Sequence, residues 1–356
     1  MRNIYILLIA LIFVSCEEYY VPDIDDVPAV YAFEGYVTNQ KGPYRVIVQK
    51  SNGYGKTTIV SDAQVAIQCS EGQQYNLTYN SAGYYLTKAD AFVGKIGSAY
   101  RLKVTTADGK KFLSEYETMP DCPEIEEVNA IYYEKHLLET TDKFSYLDAL
   151  EKGIRVVNTT NANGYTPYYR YYCKYVLQTM QSYSIPPMTI EMYLYRPYNS
   201  YSQLFIANAN DYADNRIVEN QLCSTKTNIL NYSNDSIISG QEYTLKYCGE
   251  FVKVEQYSMT EAQYEYWAAI NAQLENKNYL FGQTENQPVG NIKCVSDENE
   301  IALGYFGASA VTSAIRAFSL TERSKTINVY DIKSFPDTDT IAIYDTRPNF
   351  SVQFKN

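Results

Sequence analysis

Apolar and polar residues alternate in several short runs of this chain, and that period of two constrains it to a β-rich fold. Val65, Ile67 and Cys69 share one face of the run 63–69, and residues 100–105 alternate in the same way. Asp108-Gly109 lies in a hairpin turn at 107–110, a dipeptide that accepts the backbone twist of a tight reversal. Runs at 30–37 and 44–49, joined by a turn at 39–42, extend the series. Regular short strands over 29–120 predict an immunoglobulin-like β-sandwich. The glycine-rich stretch 53–57 belongs to a hairpin loop. A phosphate loop would need a glycine where Lys50 stands and a helix where Thr57-Thr58-Ile59-Val60 reads as extended.

Beyond a boundary at 119–123, the segment 121–356 reads as a larger β-rich domain. Its strands fall near 128–133, 153–158, 168–178, 189–195, 242–257, 301–306, 315–319 and 341–344. A bulge or turn is expected at Cys248-Gly249, and polar, Asn-rich loops at 158–164 and 198–220. One α-helix is announced late, at about 260–276. Thr260 can cap it, Gln263 completes a capping box, and Met259 can close on Tyr264 as a hydrophobic staple. Tyr264, Trp267, Ala268, Ile270 and Leu274 supply its apolar positions, which points to a core stripe rather than a ligand face. The fold class is therefore mainly β, with one helix bracing the second domain.

Residues 1–15 are an address. Arg2 gives a positive start, and the apolar run 4–14 falls short of the roughly 20 residues that span a membrane. The run ends at Ser15-Cys16, which resembles a bacterial lipobox, so Cys16 is the expected acylation site and the chain is anchored rather than spanning. Glu17 and Glu18 follow directly, an acidic pair that resembles the surface-export signal of Bacteroidetes lipoproteins. Residues 16–28 then read as an acidic, proline-bearing linker. The expected location is the outer membrane, facing the cell exterior.

The chain carries a formal charge of -11, which argues against nucleic acid as a partner, since phosphates call for Lys/Arg stripes. Its 38 tyrosines suit broad, half-wet sheet faces and also suit stacking on sugars. A hydrolytic triad would have to use the one histidine, His136, and no GxSxG nucleophile motif accompanies it. A metal cluster is not expected, because no CxxC occurs, and the acidic stretch 296–300 lacks the ligand spacing of a calcium loop. No catalytic residue and no cofactor is assigned. Ser236 and Thr340, in Asp-Ser-Ile and Asp-Thr-Ile tripeptides, resemble O-glycosylation acceptors of Bacteroidetes.

Two blocks carry a family resemblance. The first is Glu34-Gly35-Tyr36-Val37-Thr38 with Gly42-Pro43-Tyr44. The second runs from Gln256-Tyr257 through Glu261, Tyr264 and Trp267, Leu280-Phe281, Pro288-Val289-Gly290-Asn291-Ile292 and Cys294 to Leu303-Gly304-Tyr305-Phe306 with Ala308-Ser309. Together they resemble the lipoproteins of domain-of-unknown-function family 4249. The chain departs from the family's pattern at Ser224, where a Trp often follows the cysteine. The resemblance implies an outer-membrane lipoprotein commonly encoded beside a TonB-dependent receptor, with no agreed activity and no established site.

Apart from Cys16, the six cysteines Cys69, Cys122, Cys173, Cys223, Cys248 and Cys294 permit three bridges in an oxidising compartment. Domain logic suggests Cys69–Cys122, the second of these lying in the boundary segment 119–123. The resemblance suggests Cys223–Cys294, which leaves Cys173–Cys248. The expected function is a non-enzymatic lipoprotein accessory to a TonB-dependent receptor in nutrient capture, taking a glycan or peptide ligand. The alternative is a stand-alone glycan-binding protein or adhesin using tyrosine-rich loops at 165–172 and 193–201.

Overall fold

The computed structural model describes residues 29–344 apart from 52–55, 141–145, 186–187, 200–203, 227–242, 277–287, 322–323 and 337–341. Cys16, Ser236 and Thr340 lie outside the described residues, as do the expected signal segment 1–15 and the whole of the linker 16–28. The first strands are β1 (Tyr31–Thr38), β2 (Arg45–Ser51), β3 (Thr57–Ile59), β4 (Gln64–Cys69), β5 (Gln74–Tyr79), β6 (Tyr85–Leu86), β7 (Ala99–Thr105), β8 (Lys111–Ser114) and β9 (Glu117–Thr118). Mostly longer strands follow: β10 (Glu127–Thr140), β11 (Tyr146–Asn161), β12 (Tyr168–Ile185), β13 (Met188–Asn199), the short β14 (Phe205–Asn208), β15 (Arg216–Lys226) and β16 (Tyr243–Ser258). Helix α1 (Glu261–Asn276) precedes β17 (Ile292–Cys294), β18 (Ala302–Ser309), β19 (Val311–Thr321), β20 (Thr326–Asp331) and β21 (Ala342–Tyr344).

The fold is mainly β, as the alternation requires. Val46 and Val48 on β2, Val65 and Ile67 on β4, and Leu102 and Val104 on β7 turn the same way into the core, while their neighbours are more exposed. The hairpin after β7 forms where Asp108-Gly109 places it, with Gly109 at a φ of 85° and Thr106 N–H donating to Lys110 O. Strand β2 pairs with β3 across the glycine-rich stretch, Ser51 opposite Thr57.

The immunoglobulin-like arrangement expected for these strands is not confirmed. Eleven strands join in one sheet whose path runs β17-β8-β7-β4-β5-β6-β2-β1-β18 and nearly closes as a barrel, its two end strands being in contact. Both end strands come from the late part of the chain. Strand β18 lies parallel to β1, Tyr31 opposite Ala302 through Thr38 opposite Ser309, and β17 lies antiparallel to β8. Residues on both sides of Pro120 thus share a sheet and one hydrophobic core, which holds Phe33, Phe112, Tyr171 and Phe306 together.

The remaining strands form two further sheets, β10-β11-β15 and β20-β19-β16-β12-β13-β21 with β14 paired to β12. Strands β12 and β16 run alongside each other with a bulge at Cys248, since Gln178 pairs with Gly249 and Thr179 with Tyr247. The polar stretch 198–220, expected as a loop, instead contains β14 and the start of β15. The described parts of the tyrosine-rich stretches are largely strand, and their rings divide: Tyr169, Tyr171 and Tyr195 are fully buried, while Tyr198 on β13 and Tyr165, in the turn before β12, remain exposed. Among the described residues no helix is long and apolar enough to cross a membrane.

Closure needs two backbones to meet at Gly304. Its φ is 104°, and a Cβ there would lie 1.8 Å from Phe33 O; one on Gly290 would lie 1.9 Å from Gly304 O. Neither position has room for a side chain. Gly304→Ala is therefore expected to lower stability by about 2–4 kcal/mol or to prevent folding. Urea midpoints at unchanged m value measure the change.

Candidate functional site

The end of β16 leads straight into α1 at Thr260. The Thr260 hydroxyl accepts from Gln263 N–H at 3.3 Å, so the expected N-cap forms. The return half of the capping box does not: Gln263 Oε1 has no hydrogen-bond partner among the described residues, and its amide packs on Gly307 instead. Tyr264 stacks on Tyr168 with ring centroids 4.8 Å apart.

Thr260 also donates to a buried carboxylate, Glu117 on β9, at 2.8 Å. Tyr305 on β18 donates to the same carboxylate at 2.5 Å, and Asn291 Nδ2 lies 3.4 Å from it. Burial pushes the Glu117 carboxyl above its ordinary value, and the Tyr305, Thr260 and Asn291 donors pull the other way. Asn291 in turn imitates a strand. Its Oδ1 accepts from Phe306 N–H at 3.0 Å and its Nδ2 donates to Phe306 O at 2.8 Å. The residues that mark the family resemblance, 288–292 and 303–306, thus clasp β9, β18 and the start of α1 around one carboxylate.

Two recesses open beside this clasp, on either side of Tyr266 and Tyr305. One encloses about 460 Å3 and is lined by Glu115, Glu117, Glu265, Tyr266, Lys293 and Tyr305. Lys293 pairs with Glu115 at 2.8 Å. The second encloses about 240 Å3 and is lined by Glu34, Gln49, Tyr266, Trp267 and Tyr305 among others. Trp267, expected in the core, is only partly buried at this wall, and its indole Nε1 has no hydrogen-bond partner among the described residues. The Arg170 guanidinium lies 3.9 Å from the Trp267 ring centroid and 4.6 Å from that of Tyr172. Desolvation pulls its pKa down and Glu34 opposes the shift. An aromatic wall with carboxylates and a cation can receive a polar ligand that carries apolar faces.

His136 sits exposed on β10, away from this recess lining. Among the described residues no group of His, Cys, Asp and Glu is arranged to hold a metal ion. The acidic stretch 296–300 is used structurally at Glu300, which pairs with Lys110 at 2.5 Å.

The described cysteines are all buried thiols. Cys122 contacts Gln256 O and Thr312, and Cys294 contacts Ser296. Cys223 hydrogen-bonds to Cys173, so the structure brings together a pair that the sequence reading assigned to different partners.

Deep in the interior, Glu250 on β16 is fully buried and neither carboxylate oxygen makes a well-formed hydrogen bond among the described residues. Desolvation pushes its carboxyl up to about 7, and the nearby Thr225 hydroxyl offsets only part of this. Sequence spacing gave no sign of it, because Glu250 follows a bulge that turns it inward. The folded chain holds this proton more tightly than the unfolded one, so the contribution of Glu250 to stability is fully present below about pH 4.5 and is lost as pH rises through 7. Between pH 5 and pH 8 the loss should reach about 2–3 kcal/mol. Glu250→Gln should remove that part of the slope, as urea unfolding at the two pH values would reveal.

No curated protein and no solved structure gives a significant match to the chain. A family model described as Domain of unknown function (DUF4249) matches residues 17–315, and the chain belongs to that family.

Proposed function

We propose that this chain is a non-enzymatic lipoprotein, anchored through Cys16 in the outer membrane and facing outward. There it assists a TonB-dependent receptor by holding a nutrient ligand. The observation that carries the binding role is the paired recess at Tyr266 and Tyr305, with its aromatic wall, its carboxylates and Lys293. The address is supported by Ser15-Cys16 and the acidic pair after it.

A binding role suits this wall better than acid–base chemistry. Glu117 already receives Tyr305, Thr260 and Asn291, and Glu115 is paired with Lys293. A glycan is the ligand class favoured by the rings of Tyr266, Trp267 and Tyr305, since sugars present apolar faces to aromatic rings and hydroxyls to carboxylates. In this reading the stacking surface lies at α1 and β18. The tyrosine-rich strands bury much of what the alternative reading needed.

Two measurements test the proposal. Gentle solubilisation of native outer membranes should co-purify a TonB-dependent receptor; recovery without one, under conditions that keep known receptor pairs intact, would sink the accessory role. Trp267 is the chain's one tryptophan, so its emission reports on the recess directly. A glycan that binds there should shift or quench that emission in a saturable way. Tyr266→Ala should weaken the effect about tenfold, roughly 1.4 kcal/mol. An unchanged affinity would remove the recess as the site.

A further inference from the structure

Strand β12 presents Tyr169, Tyr171 and Cys173 on one face, all at most 2 % exposed. Strand β15 belongs to a different sheet and comes into contact with β12. It carries Leu222 and Cys223 into the same core, Cys223 being 4 % exposed. The two thiols meet there within hydrogen-bonding reach. The other four described cysteines are placed elsewhere: Cys248 in a separate hydrophobic cluster, Cys122 on Gln256 and Thr312, Cys294 beside Ser296, and Cys69 on β4.

We propose that Cys173 and Cys223 are oxidised in the exported protein to a cystine that ties the sheet of β12 to the sheet of β15. The inference rests on the exported location proposed above. In the step, each thiol gives up its proton and the pair gives up two electrons as the sulfur–sulfur bond forms. A disulfide, either a small molecule or a disulfide-exchange protein of the compartment, accepts the electrons through a mixed-disulfide intermediate and leaves as two thiols.

The timing follows from the surroundings. Attack requires a thiolate. In the folded core the hydrogen bond with Cys173 and desolvation hold the Cys223 thiol well above its ordinary value, and Glu250 adds to the effect. The folded dithiol is therefore a poor nucleophile as well as an inaccessible one. The bridge forms before the two sheets close over it. Once formed, it restricts the unfolded chain across about 50 residues, a loop long enough to matter.

The test uses the full mature chain, unfolded in reductant and refolded in a glutathione redox buffer. Remaining thiols are blocked with N-ethylmaleimide under denaturing conditions before trypsin digestion. Cleavage after Arg170, Lys174, Arg216 and Lys226 should yield peptide 171–174 joined to peptide 217–226. Reduction of the folded protein should be slow and should lower the Tm by about 5–10 °C, a sensitivity that Cys223→Ala lacks. Recovery of Cys173 and Cys223 both blocked, or of Cys223 joined to Cys294, would overturn the pairing. The same peptides from the chain captured out of whole-cell lysate, with thiols blocked at lysis, separate the two readings. A bridge in the refolded chain with blocked thiols in protein from cells would fault the exported location and leave the pairing standing.

Discussion

The parallel pairing of β1 with β18 is the constraint on which the rest of the fold depends. It sets residues 31–38 against residues 302–309 in continuous register, so the first described strand has no complete set of neighbours until almost the whole chain is in place. The bonds of this ladder are unremarkable one by one. Their weight lies in what they bring along. Gly304 must approach Phe33 without a side chain, Gly290 must approach Gly304, and Asn291 must then supply the strand-like bonds to Phe306. Glu117 gathers the outcome, since one carboxylate takes donors from β18, from the 288–292 turn and from the cap of α1. The residues that carry the family resemblance are thus occupied in closing a barrel, and the recesses are a by-product of how that closure sets the half-buried Tyr266 beside the buried Tyr305.

The tyrosine richness has a related explanation. Many of these rings fill core positions that another protein would give to Phe or Leu, and their hydroxyls meet backbone groups that the ladder leaves over. Tyr44 donates to Thr38 O and Gln40 O and accepts from Gly94 N–H. Tyr85 donates to Val60 O and accepts from Ala63 N–H, and Tyr100 accepts from Lys95 N–H. Each of these side chains contributes apolar area and also satisfies a polar group that burial would otherwise penalise. The composition therefore reports on irregular connections packed close to the core as much as on surfaces prepared for sugars.

How much of this was legible in the sequence follows from the range of each signal. The helix was, because its cap, apolar stripe and length are all written within the consecutive positions 260–276. Most strands were, because alternation is local; the bulge at Cys248 was flagged by its glycine neighbour. The join between residues 31–38 and 302–309 left no local trace, so the first region read as a sandwich of its own. Strand β15 hid in an Asn-rich stretch whose composition resembles a loop. The tyrosine-rich stretches misled for the opposite reason: aromatic rings read as a binding surface, yet in a strand every second ring turns inward. The recess at Tyr266 combines residues from β1, β2, β18 and α1, and no single window of sequence contains it.

The β1–β18 ladder also bears on when the protein can become itself. Strand β1 can pair early with β2, but its parallel partner is made roughly 270 residues later, so that edge of β1 waits on a long loop closure before its contacts form. The leading segment should stay open and passable while the rest of the chain is still arriving. Under the export proposed above, late closure of this kind would keep the chain transport-ready without a dedicated unfolding step.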